Sequence, residues 1–521
     1  MTATAPDTAT KLATNASSST ADESQRDTTN PANNRAGTGY ENNDRQQLSS
    51  QLEMLKSAFN TDTTPTASTR LNRLSRLHHA LKTHQNELLA ALKKDYGSRS
   101  DADTLVAEIY ALASCIHYHQ KHVRRWMKPE KRKVPMHLQP GRAEVHYQPV
   151  GVVGIVVPWN FPVYLAFAPL VTALAAGNLA MIKTSEFAPE TSRVMATMIG
   201  SVFNEHEVLV VEGDVDTAVA FTQLPFDHLV FTGATSVATH VMSAAAKHLT
   251  PVTLELGGKS PAIIHPDYSV TDAAEHIVFG KAINAGQVCV SPDYVLVHES
   301  QEQALHDAMA SAFKRRYPTL SNNEDYTAII NDRHAQRLQG LVEDAEALGA
   351  QVTALWPDNE KHQEAAHADR PLRKRPLTLI RQTNNDMRVM NEEIFGPLLP
   401  IVTYKTLDEA IAYVNQRERP LALYYFDHKR QRGDDMIRRT LSGGVCINEC
   451  MTHISVDDMP FGGVGPSGMG HYHGVEGFRR FSHTRSVLRR GRFNMTQMIG
   501  APRDTLNWRL FKYFQARRLG L

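Results

Sequence analysis

Cysteine is scarce in this sequence. The 521 residues contain only Cys115, Cys289, Cys446 and Cys450. That is too few for a disulfide framework in a chain of this length, so a reducing compartment is expected. Cys446 and Cys450 lie close together without a matching Cys/His pair, and we expect no metal site there.

Charge of one sign and long apolar runs are lacking as well. The formal net charge is +1, which gives no broad attraction to nucleic acid or to anionic membranes, so small-molecule substrates are expected. No run of 18 apolar residues predicts a membrane span. The N-terminus has no basic region followed by an apolar core, as a secretory signal would. The predicted location is the cytoplasm.

Large apolar side chains are nearly absent from the first part of the chain. Residues 1–47 are rich in Thr, Ala, Ser and Asn without periodicity, which predicts a disordered tail. From Leu48 onward, leucines recur at helical spacing, and a compact fold is expected to begin there.

Two further segments are poor in core residues. Residues 128–149 are basic and broken by prolines, which favours an extended arm or edge strand; a solvated linker is the alternative. Residues 356–374 are polar and predict a long surface loop.

The end of the chain, residues 491–521, is predicted to be a basic amphipathic tail. Leu506, Leu510, Tyr513 and Phe514 recur there at helical spacing among arginines and lysines. We expect this tail to dock on the protein or on an oligomer partner, with weak contact to a membrane surface as the alternative.

What is present from Val150 onward is an alternation of strands and helices. Short β-branched runs such as 151–157, 179–183, 208–212, 228–232 and 252–256 are separated by helical patterns. This succession predicts an α/β fold with a parallel sheet and ligands at the carboxyl ends of its strands, as in nucleotide-binding domains. A second α/β region follows from 262.

The stretch Asn284–Pro292, NAGQVCVSP, is the strongest candidate for chemistry. Cys289 can attack as a thiolate, and the Gly286-Gln287 turn lets the Cys289 N–H face a reacting oxygen. Inert core packing is the alternative, since cysteine is among the most buried residue types.

Other polar residues follow strand ends. Asn160 stands between Pro158 and Pro162, where its amide can donate to an oxyanion or simply form a turn. Glu255 lies in an apolar run, so its carboxylate either finds a buried partner or has a raised pKa and serves as a base.

Three residues suit a dinucleotide. Lys183 and Glu186 can meet a pair of ribose hydroxyls, and the Glu186 carboxylate would repel a 2′-phosphate, which favours NAD; an exposed ion pair is the alternative. Gly233 precedes a helix start whose free N–H groups suit a pyrophosphate. Thr235 and Ala238 stand where G-x-G-x-x-G has its later glycines, so this phosphate loop is a weak one.

Taken in order, PWNFP, MIKTSE, FTGATSVA, LELGGKSP, NAGQVCVSPDY, NEEIFGP and PFGGVGPSGMG resemble the NAD(P)-dependent aldehyde dehydrogenase superfamily over residues 50–490. The resemblance implies a Rossmann-like cofactor domain over 48–255, with 128–149 as part of the oligomerisation region. It further implies a catalytic α/β domain over 256–442 and a subunit-bridging arm over 443–490. NAD is the expected cofactor, with NADP possible, and a homodimer the expected assembly.

The resemblance also implies residue roles. Cys289 would be the nucleophile and Glu255 the general base. Asn160 and the Cys289 N–H would form the oxyanion hole. The cofactor would be held by Trp159, by Lys183 and Glu186 at the adenine ribose, by Gly233 near the pyrophosphate, and by Glu393 and Phe395 at the nicotinamide ribose and ring. Relatives commonly have Pro at the position of Thr184, and Ser and Gly at those of Ala234 and Ala238.

Within the superfamily, residues 246–261 and VCVSPDY are similar to the class 3 branch, and the tail beyond Arg490 is similar to bacterial coniferyl aldehyde dehydrogenases. This implies oxidation of coniferaldehyde or a related aromatic aldehyde to its acid through a thiohemiacetal and a thioester. Alternatives are an aliphatic aldehyde dehydrogenase, a CoA-acylating relative that Glu255 disfavours, and a silent dinucleotide-binding scaffold.

Overall fold

The computed structural model describes residues 39–135, 138–360, 373–491, 501 and 503–520. Residues 1–38 of the predicted tail lie outside this range. Its remainder is helical, because helix α1 spans Gly39–Thr61. The tail prediction is therefore wrong for residues 39–47, where the sequence is polar and shows no apolar period; Leu48 is the first buried residue described.

A six-stranded sheet forms the first half of the α/β core. Its strands are β3 (Val152–Val156), β4 (Leu179–Lys183), β5 (Val208–Val211), β6 (His228–Thr232), β7 (Val252–Glu255) and β15 (Gly468–Met469). The order is β15-β7-β6-β3-β4-β5, parallel except for β15. The predicted parallel sheet is confirmed.

A seven-stranded sheet forms the second half, in the order β10-β11-β12-β9-β8-β13-β14. These are β8 (Pro261–Ile264), β9 (Tyr294–His298), β10 (Gln351–Ala354), β11 (Thr378–Arg381), β12 (Leu398–Tyr404), β13 (Ala422–Phe426) and β14 (Gly444–Ile447). Only β10 pairs antiparallel.

A separate three-stranded antiparallel sheet contains the predicted arm. It consists of β1 (Glu130–Arg132), β2 (Arg142–Pro149) and β16 (Ser482–Arg489). The strand prediction for 128–149 thus holds for half of its length, in β1 and β2. Residues 443–490, predicted as one bridging arm, are shared among three sheets through β14, β15 and β16.

Further helices follow α1 along the chain. They are α2 (Ala67–Tyr96), α3 (Asp101–Thr104), α4 (Ala111–Trp126), α5 (Pro162–Ala176), α6 (Pro189–Gly200), α7 (Val215–Thr222), α8 (Thr235–Ala246), α9 (Val270–Ala282), α10 (Glu302–Arg316), α11 (Asp332–Ala347), α12 (Arg388–Asn391), α13 (Leu407–Asn415), α14 (Arg430–Arg439), α15 (Gly474–Arg480) and α16 (Leu506–Leu519). A π-helical turn, Leu105–Tyr110, joins α3 to α4. Helix α5 is buried almost throughout, which is why its sequence is apolar on every face.

The predicted surface loop and tail give mixed outcomes. The first residues of the 356–374 segment are anchored, since Trp356 is buried and the Glu360 carboxylate accepts from the backbone N–H of Leu320. Residues 361–372 lie outside the described part. Helix α16 buries none of its side chains, so docking of the tail on this chain is not seen for the residues described.

None of the described helices combines the length and apolarity that a membrane crossing requires. Within the same residues, no group of three or more His, Cys, Asp or Glu side chains could hold a metal ion.

Candidate active site

Strand register gathers the candidate residues at one edge of the six-stranded sheet. Val156 of β3 pairs with Lys183 of β4 and with Phe231 of β6, and Thr232 pairs with Glu255 at the end of β7. Because the strands are parallel, the segments that follow them emerge side by side.

Cys289 lies where two cavities meet. The first has a volume of about 250 Å³ and the second about 220 Å³. Cys289, Asn160 and Leu165 line both. The first cavity is also lined by Trp159, Gly233, Glu255, Glu393 and Phe395, so that every predicted site residue except Lys183 and Glu186 borders it.

The Cys289 side chain is partly exposed, whereas Cys115 and Cys450 are buried. Its surroundings raise the pKa of the thiol to about 12, mainly through burial and then through the carboxylates of Glu393 and Glu255. The thiol is therefore protonated at rest, and forming the thiolate needs a base.

The backbone before Cys289 is held in a rare conformation. Asn284 and Ala285 have φ values of 48° and 51°, and Gly286 has φ 72°. A Cβ at Gly286 would lie 2.5 Å from Gly396 O, so only glycine permits this approach. Gln287 fastens the turn, donating to Asn284 O at 2.9 Å and to Ala328 O at 3.1 Å. Strained residues of this kind cluster at functional sites.

Asn160 is held firmly, as expected, though not by the prolines alone. Its backbone oxygen accepts from Arg99 at 2.8 Å, Tyr96 at 3.1 Å and Asn284 at 3.3 Å. Its side-chain Nδ2 donates to Gln287 O at 3.2 Å. An amide nitrogen carries two N–H groups, so a second donor remains.

Sequence reasoning missed the ion pair behind Asn160. Arg99 and Glu108 lie 2.8 Å apart and are almost completely buried. The second Glu108 oxygen accepts from the N–H groups of Val163 and Tyr164 at the start of α5. Arg99 and Glu108 lie far along the chain from the backbone groups of Asn160, Val163 and Tyr164 that they bind, so no local sequence pattern marks these contacts.

Glu255 is buried, and neither carboxylate oxygen has a hydrogen-bond partner. Burial raises the pKa of this carboxyl well above its usual value. Of the two outcomes expected from the sequence, the structure shows the raised pKa.

The Glu393 carboxyl lies against Gly257, where an added Cβ would collide with it. Burial, followed by the charge of Asp293, raises the pKa of Glu393 to about 7. Arg337, which sequence reasoning also missed, donates to Glu393 O at 3.3 Å and lines the first cavity.

Aromatic rings form one wall of the first cavity. Trp159 meets Phe395 at 5.3 Å in an edge arrangement, and His334 lies 5.0 Å from Trp159. Phe395 has φ 48°, an uncommon value for a bulky residue. His334 was not recognised in the sequence.

Lys183 and Glu186 follow β4 at the same sheet edge. Lys183 is buried and its ammonium donates to Thr184 O at 2.6 Å and Gly213 O at 2.9 Å, which excludes an exposed ion pair. Glu186 is partly exposed. The Gly233 N–H is taken by Glu255 O at 3.1 Å. Any N–H donors for a phosphate must therefore come from the start of α8, which has no side-chain cap.

This geometry agrees with comparisons to known proteins. The model of the aldehyde dehydrogenase family matches residues 18–487. The chain belongs to the aldehyde dehydrogenase family. A probable coniferyl aldehyde dehydrogenase of Pseudomonas aeruginosa is 49% identical over 461 residues, covering 88% of this chain and 94% of that protein.

Two further aldehyde dehydrogenases extend the comparison. A coniferyl aldehyde dehydrogenase of a Pseudomonas species is 44% identical over 447 residues, covering 85% of this chain and 91% of that protein. The solved structure of the substrate-bound state of Staphylococcus aureus AldH has a TM-score of 0.83 at 35% identity, covering 89% of this chain and 98% of that one.

The predicted fold and activity are thereby confirmed. This aldehyde dehydrogenase oxidises an aldehyde to its carboxylic acid by the cysteine mechanism of its family, with NAD or NADP as oxidant. Membership of this enzyme family disfavours the alternative of a silent dinucleotide-binding scaffold. The first cavity fits a dinucleotide, since it combines aromatic walls, the buried Glu393 carboxyl and an uncapped helix start.

Proposed function

We propose that this enzyme oxidises coniferaldehyde or a closely related aromatic aldehyde, with Cys289 as nucleophile and NAD as the preferred oxidant. The observation that supports this most strongly is the position of Cys289 on the shared wall of two cavities. One cavity suits a dinucleotide and the other an apolar aldehyde, and Cys289 lies with Asn160 and Leu165 on the wall that they share, so the two reactants can meet at the sulfur.

The first step is addition of sulfur to the aldehyde carbon. Burial raises the pKa of both Cys289 and Glu255, so each group favours its protonated form. Cys289 loses its proton to solvent, and the S–C bond then forms as the carbonyl oxygen becomes an oxyanion. Asn160 Nδ2 and the Cys289 N–H donate to that oxygen, each contributing roughly 3 kcal/mol to the barrier reduction.

The dinucleotide, when bound, supplies the acceptor for the hydride that leaves the former aldehyde carbon. Trp159 and Phe395 would contact its nicotinamide end and Glu393 the adjoining ribose. The N–H groups that open α8 would face the pyrophosphate, with Gly233 beside them, while Lys183 and Glu186 would meet the adenine ribose. Lys183 can do so only if its ammonium gives up a backbone partner.

The last step is hydrolysis of the resulting thioester. Glu255, which has no competing partner, first releases its own proton to solvent and then takes a proton from water as the water attacks the carbonyl carbon. The C–S bond breaks, Cys289 recovers a proton, and the carboxylic acid leaves.

The second cavity supports an aromatic substrate. None of its lining residues is charged, and Phe161, Phe279 and Phe461 contribute rings. Apolar walls with a few polar groups suit a neutral aromatic ligand. The relatives at 49% and 44% identity are named as a probable coniferyl aldehyde dehydrogenase and a coniferyl aldehyde dehydrogenase. The same apolar lining also favours an aliphatic aldehyde, which remains the second candidate.

The cofactor and assembly proposals rest on separate features. Partly exposed Glu186 would repel the 2′-phosphate of NADP. The three-stranded sheet of β1, β2 and β16 lies apart from the two core sheets, and we infer that it joins two subunits into a homodimer. We expect the enzyme in the cytoplasm.

A substrate panel tests the proposal. Purified enzyme should be assayed with coniferaldehyde, cinnamaldehyde and a series of alkanals of increasing length, each with NAD and NADP, by following the reduced nicotinamide. We expect the highest kcat/KM with an aromatic aldehyde and NAD. A steady rise with alkyl chain length above the aromatic values would favour the aliphatic alternative.

A further inference from the structure

The second cavity contains a partly buried polar pair that the proposed chemistry does not use. The hydroxyl of Tyr164 and Nε2 of His473 lie 3.2 Å apart, and both residues line the cavity. Most of the remaining lining is apolar, and Phe461 stacks on the His473 ring with 5.3 Å between the ring centroids. A polar pair in an apolar binding pocket is the usual means of fixing a ligand's orientation.

His473 is an unusual residue for a cavity wall, because it is only 4% exposed and its Nδ1 atom has no partner. Burial lowers the pKa of its imidazole to about 3, so the ring is neutral. A neutral imidazole carries one N–H. Placing it on Nδ1 would leave a buried donor unsatisfied, which is rarer than an unsatisfied acceptor.

The neutral ring therefore donates from Nε2 to the Tyr164 oxygen. This leaves the Tyr164 O–H proton without a role in the pair, and Tyr164 is partly exposed at the cavity. The hydroxyl can donate to a ligand oxygen and, with its second lone pair, accept from a ligand hydroxyl.

Buried hydrogen bonds fix the position of the Tyr164–His473 pair. Thr172 donates to Tyr472 O at 2.7 Å, and His119 contacts the Thr172 hydroxyl at 3.1 Å. These buried residues hold the backbone next to His473. Tyr164 is on α5, whose first N–H groups are bound by Glu108. Thr172 is also on α5, so its bond to Tyr472 ties the segment before His473 to the helix that contains Tyr164 and fixes the two rings relative to each other, as a preorganised recognition point requires.

The geometry points to Tyr164, oriented by His473, as a specificity residue that recognises a hydroxyl on the ring of an aromatic aldehyde. This inference rests on the proposed aromatic substrate and narrows it. A cavity without charged residues would exclude aldehydes that carry a carboxylate or an ammonium group. An alkyl chain would leave the pair without a partner. A neutral ligand with a hydroxyl that reaches Tyr164 suits both the uncharged lining and the polar pair.

The test compares 4-hydroxycinnamaldehyde with 4-methylcinnamaldehyde, because methyl matches hydroxyl in size but forms no hydrogen bond. Wild-type enzyme and Tyr164→Phe are assayed with both, and the ratio of the two kcat/KM values is taken for each enzyme. Differences in the intrinsic reactivity of the two aldehydes cancel between enzymes. We expect the ratio to fall roughly 3- to 10-fold in Tyr164→Phe, the range of one hydrogen bond.

Tyr268→Phe provides the matched control, since it removes a hydroxyl that bonds Asp272, outside the lining of this cavity. It should leave the ratio unchanged. An unchanged ratio in Tyr164→Phe, or an equal loss with both aldehydes, would overturn the inference.

Product binding separates this inference from the proposed function. Inhibition by 4-hydroxycinnamate and 4-methylcinnamate is measured with the same variants, and the hydroxylated acid should lose its advantage only in Tyr164→Phe. If alkanals prove the better substrates while this pattern persists, the proposed substrate fails and the role of Tyr164 stands. If Tyr164→Phe keeps the wild-type preference for the hydroxylated compound in both the kinetic and the inhibition assay, the role of Tyr164 fails and the proposed substrate is unaffected.

Discussion

The ammonium of Lys259 lies 2.5 Å from the carboxylate of Asp293, and both side chains are largely buried. The same ammonium donates to Val389 O at 2.7 Å and Glu392 O at 3.0 Å. The other Asp293 oxygen accepts from Ile394 N at 3.0 Å. One buried pair therefore fastens the segment that contains Glu393 and Phe395 to the loop behind Cys289.

Asp293→Asn should weaken cofactor binding and stability together. The change leaves a buried ammonium without its counter-charge, which costs about 3 kcal/mol of unfolding free energy. The KM for the dinucleotide should rise about tenfold because Glu393 is no longer held in place. Denaturant unfolding and steady-state kinetics measure the two effects.

Asp434→Asn is the control for that change. Asp434 pairs with Arg430 at 3.8 Å on the surface, where ion pairs contribute little. It should change neither quantity measurably. A stable Asp293→Asn enzyme with an unchanged KM would show that the pair does not position the segment.

Glu255→Gln should stabilise the fold increasingly as pH rises. The raised pKa of Glu255 means that the folded state binds a proton that the unfolded state releases above its ordinary pKa. Wild-type stability therefore falls with rising pH, at up to about 1.4 kcal/mol per unit, until the folded pKa is reached. Glutamine removes this loss. Unfolding of both proteins across a pH series should give curves that meet near pH 4 and diverge above it.

The same variant should separate the chemical steps. Without a base to activate water, Glu255→Gln should release one equivalent of reduced nicotinamide per active site and then stall as the thioester accumulates. Rapid mixing with absorbance detection measures this burst. Continued turnover at the wild-type rate would assign the base to another residue.

How much of the fold and of the candidate site the sequence predicts depends on how far apart in the chain the interacting residues lie. Strands β4 and β6 coincide with their predicted bounds, because short β-branched runs between turn signals form buried parallel strands. Cys289, Asn160 and Glu255 were found because each lies beside a strand end or a sharp turn.

What escaped prediction has partners far away in the chain. Arg99 and Glu108 hold Asn160 and the start of α5, and Asp293 bonds Ile394 across 101 positions. Such a residue belongs to no repeating sequence pattern, so its contact with a distant partner cannot be predicted from spacing. The helical start at Gly39 escaped prediction for another reason, since the polar sequence of residues 39–47 carries no apolar period.

Glu186→Gln should relax the choice of cofactor. Removing the carboxylate removes its repulsion of a 2′-phosphate, so the ratio of kcat/KM for NADP to that for NAD should rise about tenfold. Glu190→Gln is a matched control on α6, where Glu190 pairs with Lys94 and Arg193 on the surface. A wild-type preference for NADP would contradict the role assigned to Glu186.

Cys289→Ala should abolish turnover and leave dinucleotide binding intact, because the sulfur forms the covalent intermediate. Loss of a nucleophile of this kind lowers kcat by about 10⁴ or more. Cys446→Ala removes the other partly exposed thiol and should retain activity. Binding is followed by quenching of Trp159 fluorescence. Residual activity in Cys289→Ala above one percent of wild type, on the order of a 100-fold loss only, would exclude it as nucleophile.

Asn160→Ala should lower kcat about 10²- to 10³-fold, the effect of losing one oxyanion donor. The structure allows this effect to be separated from damage to the fold. The Asn160 side chain donates to Gln287 O, but Asn284 Nδ2 donates to the same oxygen at 3.1 Å, so that carbonyl keeps a partner in the variant. The bonds from Arg99 and Tyr96 go to the Asn160 backbone and also survive. We therefore expect near wild-type unfolding and an unchanged KM for the dinucleotide. A fall in kcat that tracked a fall in stability would assign Asn160 to structure rather than to the oxyanion.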